Sequence, residues 1–166
     1  MMPRLAALCL SLAALAGCAL PAENLRRDPA LAWILDEGPP GARLILGAPD
    51  SDDIRVMMTC QPHSGAVDIT IAARPGDSAG VELHSGKVWN RYRGAGHADE
   101  ETSGAVDVDL QKLSAADPVL AAFADTGELA VVFQLRKLVL PNAFAPAHDF
   151  MTLCRLPGAA GQVAPP

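Results

Sequence analysis

The chain has 166 residues, half of them apolar, and its 13 basic and 19 acidic side chains give a formal net charge of −6. This length fits a single domain with a core of its own. The acidic excess argues against non-specific nucleic-acid binding, which depends on contacts between cationic side chains and phosphates. We therefore expect no nucleic-acid partner.

The N-terminus has the pattern of an export signal. One basic residue, Arg4, precedes residues 5–16, which carry no charge. As a helix this stretch would reach about 18 Å, well short of the roughly 30 Å hydrocarbon core of a bilayer. A basic tip, a short apolar run and small residues at its end are typical of a secretory signal peptide. We predict that residues 1–17 are this signal.

The signal ends in Leu15-Ala16-Gly17-Cys18. This motif resembles the lipobox of bacterial lipoproteins, in which a branched apolar residue and two small residues precede the cysteine. The resemblance implies cleavage before Cys18, diacylglycerol on its thiol, and a further acyl chain, such as palmitate, on the new amino group. Ala19, where some lipoproteins carry Asp, implies the periplasmic face of the outer membrane. An ordinary signal peptide with a chance cysteine is the alternative.

The segments that flank the central region have no pattern of a folded element. Residues 18–30 contain two prolines and no periodicity, so we predict a lipidated N-terminus and tether. Residues 157–166 are mostly Pro, Gly and Ala, which predicts a disordered tail. The globular domain is therefore expected over residues 31–156.

The cysteines predict one disulfide. Cys9 lies within the signal and Cys18 is the acylation site, which leaves Cys60 and Cys154. An even pair in an oxidising compartment favours a bridge between the two. Two buried free thiols are the alternative, and a metal site is disfavoured because neither cysteine has CxxC or CxxH spacing.

Recurrent turn signals and alternating apolar residues predict a mainly β fold, an antiparallel sandwich or small barrel. Even positions are apolar in residues 54–60 and odd positions in residues 66–72, the period of a half-buried strand. The five-residue link 61–65 predicts that these two strands form a hairpin. Shorter strands are expected at 44–46 and 106–110, and residues 128–140 read as one long central strand that includes Leu135.

One or two short helices complete the predicted fold. Asp117 is a good N-cap before Pro118, and Gly127 can end the helix. A second helix around 147–154 would carry Phe150 and Cys154, so that the disulfide pins it to the Cys60 strand.

The stretch 47–62, with Gly-Ala-Pro-Asp-Ser-Asp-Asp-Ile at its start and Thr-Cys-Gln-Pro at its end, resembles a segment of small exported proteins of alphaproteobacteria. The resemblance implies no function.

Motifs for catalysis, metals and cofactors do not stand out. No serine occupies a Gly-x-Ser-x-Gly elbow, and no two histidines are spaced at i, i+2 or i, i+4. The run Asp50-Ser51-Asp52-Asp53 lacks the glycine and downstream glutamate of a calcium loop. We predict no catalytic residue, no metal site and no cofactor.

Residues 81–93 form the candidate binding segment. A two-residue turn at Ser85-Gly86 would set Glu82 opposite Trp89. One face of this hairpin then holds, in chain order, Glu82, His84, Lys87, Trp89, Arg91 and Arg93. Trp and Arg are common at binding hot spots. In the alternative, Trp89 belongs to the core and the arginines pair with Glu82 and with the acidic residues that follow.

These observations favour a non-enzymatic binding or structural module, held to the membrane by the Cys18 lipid, with an envelope protein or glycan as partner. A small lipidated β-domain with one disulfide is similar in layout to lipoprotein inhibitors of lysozyme, although the chain has no inhibitor motif. The alternatives are a periplasmic hydrolase whose site has no sequence motif and a subunit of an envelope assembly, which would expose a broad apolar patch.

Overall fold

The computed structural model describes residues 20–77, 80–98, 106–155 and 157. The predicted signal, Cys18 and nearly all of the predicted tail lie outside these ranges. The described elements, in chain order, are β1 (Ala22–Asn24), a 3-10 turn (Leu25–Arg27), β2 (Ala32–Gly38), β3 (Gly41–Gly47), β4 (Ile54–Cys60), β5 (Ala66–Ala73), β6 (Gly80–Ser85), β7 (Val88–Arg93), β8 (Ala95–Ala98), β9 (Val106–Ser114), α1 (Pro118–Thr126), β10 (Ala130–Val132), β11 (Lys137–Val139) and α2 (Phe144–Cys154).

The strands form two sheets, and this confirms the prediction of a mainly β fold with two helices. The five-stranded sheet has the order β1-β11-β10-β6-β7, and the six-stranded sheet has the order β2-β3-β4-β5-β9-β8. Every pairing described is antiparallel except the one between β1 and β11. Both sheets contribute to one apolar core, and in the described residues they stay separate rather than closing into a barrel. Of the two predicted architectures, a sandwich or a small barrel, the described residues agree with the sandwich.

Alternation places the side chains of the six-stranded sheet as predicted. Val56, Met58 and Cys60 of β4 are buried, and β5 follows as its antiparallel partner. In β9, Val108 and Leu110 point into the core, while Asp107 and Asp109 lie on the other face. Because successive residues of a strand point to opposite faces, the apolar pattern alone decides which side is buried.

Helix α1 begins and ends where its caps predict. The Asp117 carboxylate accepts a hydrogen bond from the Val119 amide at 2.8 Å, and Pro118 occupies the first turn. Gly127 has the left-handed conformation at φ +67° and donates its amide to the Phe123 carbonyl at 2.7 Å. Leu120 and Phe123 are fully buried.

Helix α2 is joined to β4 by the predicted disulfide. Cys60 ends β4 and Cys154 ends α2, with their Cα atoms 5.8 Å apart. Two backbone hydrogen bonds run beside the bridge, from the His63 amide to the Leu153 carbonyl at 2.8 Å and from the Gly65 amide to the Cys154 carbonyl at 2.9 Å. The helix is longer than predicted, since it starts at Phe144.

The prediction of one central strand over residues 128–140 is wrong. The segment folds into the hairpin β10–β11, and Leu135, predicted to face the core, is 62% exposed at its turn. The turn allows the nearly buried Arg136 to reach Asp77, with Nη2 and Oδ2 2.6 Å apart, and to lie over the Phe133 ring. A buried guanidinium needs such a partner, which a straight central strand would not provide.

The predicted tether is also corrected in part. Strand β1 pairs in parallel with β11, and Leu25 in the turn that follows is buried. Glu23 lies 3.4 Å from Arg136, and Arg26 donates to the Leu140 carbonyl at 3.1 Å. Residues 22–27 therefore belong to the folded body. A three-residue strand is too short to show a period, and its partner is more than a hundred residues away along the chain.

Candidate binding face

Strands β6 and β7 form a hairpin at one edge of the five-stranded sheet, with a register that differs from the predicted one. Ser85 pairs with Val88, His84 with Trp89 and Glu82 with Arg91. The two turn residues are thus Gly86 and Lys87, not Ser85 and Gly86. Gly86 has φ +59°, and a glycine at the first turn position is what a type II′ hairpin turn requires.

The correction keeps Glu82, His84, Trp89, Arg91 and Arg93 on one face and moves Lys87 from the strand to the turn. It moves every cross-strand pair by two residues, which is one full period of side-chain alternation. Lys87 lies at the tip, in the turn. We call the outward side chains of the hairpin, together with this lysine, the ribbon face: Glu82, His84, Lys87, Trp89, Arg91 and Arg93.

Trp89 is the most prominent residue of the ribbon face. It is 59% exposed, so the alternative that placed it in the core is wrong. Its ring stacks on that of His84, its cross-strand partner, with centroids 5.8 Å apart and planes inclined by 17°. Among the described strands, only β6 pairs with β7. The indole is therefore supported on one side and open to solvent at a sheet edge.

Glu82 organises the polar side chains beside the tryptophan. Its Oε1 accepts from Arg91 Nη2 at 2.8 Å, and its Oε2 lies 3.1 Å from His84 Nε2. The hydrogen bond with His84 is the main cause that lowers the pKa of Glu82 below its ordinary value of 4.5; partial burial opposes this, and Arg91 lowers it further. This network holds both the histidine and the arginine in place next to Trp89.

The neighbouring strands form a shallow floor beside the ribbon face. Ala130 pairs with His84 and Val132 with Glu82, so small side chains lie beside the larger ones. One groove of about 350 Å³ is lined by Glu82 and Arg91 on one side and by the β10 hairpin on the other. A smaller groove of about 140 Å³ runs beside His84 and is also lined by Arg26, Glu128 and Lys137.

The charge on this side of the sheet is opposite to that of the whole chain. The ribbon face and the adjoining groove carry five cations: Arg26, Lys87, Arg91, Arg93 and Lys137. They carry two carboxylates, Glu82, which pairs with Arg91, and Glu128, which lies 3.6 Å from Arg26. In a protein with net charge −6 this is a local positive surface. Arg26 and Lys137 could not be assigned to this surface from the sequence, because only the sheet order brings them near the hairpin.

Tyr92 attaches the inner side of the hairpin to helix α1. It is buried, and its hydroxyl donates to Asp117 Oδ1 at 2.7 Å, on the same carboxylate that caps the helix. Burial, followed by the nearby Asp117, raises the pKa of Tyr92 above its ordinary value. The hairpin is therefore fixed to the core behind the exposed face.

Other polar clusters lie apart from the ribbon face. His97 of β8 is near Asp107 and Asp109, and Asp109 accepts a hydrogen bond from Thr70 at 2.7 Å. In the part of the chain that the structure describes, no group of histidine, cysteine or carboxylate side chains is arranged to hold a metal ion.

Comparison of the chain with protein-family models, with curated proteins and with solved structures finds no match. Neither helix of the described ranges has the length and apolar character needed to cross a bilayer.

The lowered pKa of Glu82 predicts a pH-dependent contribution to stability. The ionised carboxylate stabilises the fold above pH 4.5, and this stabilisation is lost as the pH falls through the lower, folded-state pKa. Glu82→Gln should cost about 1.5 kcal/mol at pH 7, the lower end of the range for a hydrogen bond to a charged group. Urea unfolding of both proteins between pH 7 and 3 should show this difference shrinking in acid.

Glu128→Gln is the matched control for this measurement. Glu128 is half-exposed, and among the described residues its carboxylate makes only the 3.6 Å contact with Arg26, so its removal should change stability little at any pH. A cost of Glu82→Gln that stays constant down to pH 3 would contradict the assignment.

Proposed function

We propose that the chain is a lipoprotein, anchored through Cys18 at the periplasmic face of the outer membrane, whose β-domain binds a partner through the ribbon face without catalysing a reaction. The observation that carries the binding role is the 59% exposure of Trp89 on an ordered, supported strand. A large aromatic side chain left in water gains free energy when a partner covers it. Arg91 and Arg93 beside it supply polar contacts of the kind found at hot spots. No contact among the described residues favours the hydrolase alternative.

The position of β1 limits the distance between the anchor and the folded domain. Three residues separate Cys18 from the start of β1 at Ala22, so the Cα atoms of Cys18 and Ala22 lie at most about 14 Å apart. Leu20, two residues after Cys18, lines the groove that also contains Glu82 and Arg91. A lipid on Cys18 would therefore hold the groove beside the ribbon face close to the bilayer.

Metabolic labelling tests the anchor. Cells that express the wild-type chain, Cys18→Ala or Cys9→Ala would be grown with an alkyne analogue of palmitate, and the labelled protein would be followed in separated membranes. We expect label and outer-membrane location for the wild type and for Cys9→Ala, and neither for Cys18→Ala. Label that persists in Cys18→Ala, or a wild type without label, would refute the anchor.

Crosslinking in intact cells tests the binding role. The double variant Trp89→Ala/Arg91→Ala should lose at least tenfold of any specific crosslinked product, with a thermal midpoint that stays within a few degrees of the wild type because both side chains are exposed. Leu135→Ala is the control, since it truncates another exposed apolar residue outside the ribbon face. Unchanged crosslinking, or a loss that only accompanies unfolding, would mean that the ribbon face is structural.

A further inference from the structure

From the geometry of the ribbon face we infer that its ligand is an acidic glycan, with one sugar ring stacked on Trp89 and with its anionic groups paired to Arg93, Arg91 and Lys87. This inference rests on the proposed binding role and names the chemical class of the ligand. Four features of the face carry it.

The first feature is the stacking surface. His84 covers one side of the indole, so the exposed area of Trp89 includes the other side. The face of an aromatic ring is electron-rich and attracts the positive edges of C–H bonds. A pyranose ring presents a flat row of such C–H groups on one side. Because His84, itself hydrogen-bonded to Glu82, stacks on the indole, less rotamer entropy is lost when a sugar binds.

The second feature is the polar rim next to the ring. A sugar bound on Trp89 directs its hydroxyl groups sideways, where they need hydrogen-bond partners. Glu82 supplies acceptor oxygens, and Arg91, whose side chain is 72% exposed, donates from Nη2 to Glu82. A guanidinium held by one carboxylate in this way can pair with hydroxyl or anionic groups of a ligand.

The third feature is the charge. Arg93 and Lys87 are exposed and make no ion pair with any residue that the structure describes. With Arg91 they form a cationic row at the open edge of an otherwise acidic protein. Such a patch attracts an anionic partner and repels a cationic one. The charge thus selects a glycan that carries carboxylate or phosphate groups.

The fourth feature separates a glycan from a protein partner. Arginine is common at protein hot spots, whereas lysine and glutamate are depleted from the centre of a protein interface. Here Glu82 and Lys87 share the ribbon face with Trp89, and the floor beside them consists of small side chains. The row from Trp89 to Arg93 extends about 14 Å along the extended strand. A polar row of this length around a single aromatic ring fits several linked sugars.

The experiment measures binding of defined oligosaccharides to the purified full-length lipidated protein in detergent. Two acidic probes, an oligogalacturonate and a phosphorylated oligomannose, are each compared with a neutral counterpart, the methyl ester and the dephosphorylated form. Calorimetry gives the affinity, and tryptophan fluorescence reports on the indole. We expect at least one acidic probe to bind at least tenfold more tightly than its neutral counterpart, with an affinity that falls as salt is raised.

Variants locate the site. Trp89→Ala and Arg93→Gln should each weaken binding of the acidic probe at least tenfold, and Trp89→Ala should also abolish the fluorescence response. Arg27→Gln is the charge-matched control, since Arg27 is an exposed arginine in the turn after β1, near the opposite edge of the same sheet. Its affinity should stay within twofold of the wild type.

The possible failures are distinguishable. Equal binding of acidic and neutral probes, or binding that survives Trp89→Ala, overturns the inference. If neither acidic probe binds while crosslinking in cells still captures a protein through Trp89, the glycan assignment is wrong and the proposed binding role stands. If both the probes and the crosslinking fail, both proposals are refuted.

Discussion

Replacing Cys60 and Cys154 together by alanine is expected to lower the free energy of unfolding by about 4 kcal/mol. The bridge closes a loop with a sequence separation of 94 residues. Its removal restores the entropy of that loop to the unfolded chain, which the chain-entropy model sets at somewhat over 4 kcal/mol for a loop of roughly this length. Native domains are stable by only about 5–15 kcal/mol, so the variant would lose a large part of its stability.

The folded structure itself should change little in this variant. The hydrogen bonds from His63 to Leu153 and from Gly65 to Cys154 hold the end of α2 to the hairpin that follows β4 without the bridge. Phe150 and Met151 of the same helix are fully buried. We therefore expect the far-ultraviolet circular dichroism of the variant to match the wild type at 25 °C.

Urea unfolding with and without a reductant measures the effect. For a slope near 2 kcal/mol per molar urea, the midpoint should fall by about 2 M. The oxidised wild type should fall to the midpoint of the variant when reductant is added, whereas the variant should not respond. If the reductant did not change the urea midpoint of the wild type, Cys60 and Cys154 would not be bridged in solution.

Gly127→Ala is expected to destabilise the protein by about 3 kcal/mol, from two separate causes. The left-handed conformation at φ +67° costs a residue with a side chain about 1–2 kcal/mol. The new Cβ would also overlap the backbone nitrogen of Phe144 and lie 2.8 Å from Asn142 Oδ1. Crowding of this kind in a packed region adds about 1–3 kcal/mol.

Gly86→Ala is the matched control for that prediction. Gly86 has nearly the same conformation at φ +59°, but a Cβ there would have no atom within 4 Å. Its replacement should cost only the conformational part, about 1 kcal/mol. Thermal or urea unfolding of the two variants separates conformation from crowding. Equal losses would show that Phe144, at the start of α2, does not lie against Gly127.

The ribbon face shows which part of the candidate site could be predicted. Alternation placed Glu82, His84, Trp89 and Arg91 on one face, and the structure has them there. The predicted turn was wrong, but it shifted the pairing by two residues, which is one full side-chain period and leaves each side chain on the same face. The exposure of Trp89 could not be predicted, since an apolar residue on an edge strand fits either side of a sheet. The contribution of Lys137 depends on β10 and β11, which are placed beside β6 by the tertiary fold.

The sequence by itself determined the features that rest on neighbouring residues. Alternation marked the buried sides of β4 and β5, Asp117 with Pro118 and Gly127 marked the ends of α1, and the two remaining cysteines marked the disulfide. These signals are local or come from a count, so no knowledge of the fold was needed to find them.

Only the tertiary structure decided how distant segments meet. It brought β1 to β11, turned residues 133–136 so that Arg136 reaches Asp77, and set the cationic residues of two hairpins on one side of the sheet. Short strands carry too few residues to show a period, and a buried charge chooses its partner by proximity in space. Contacts of this kind depend on the whole chain, and no window of the sequence contains both partners.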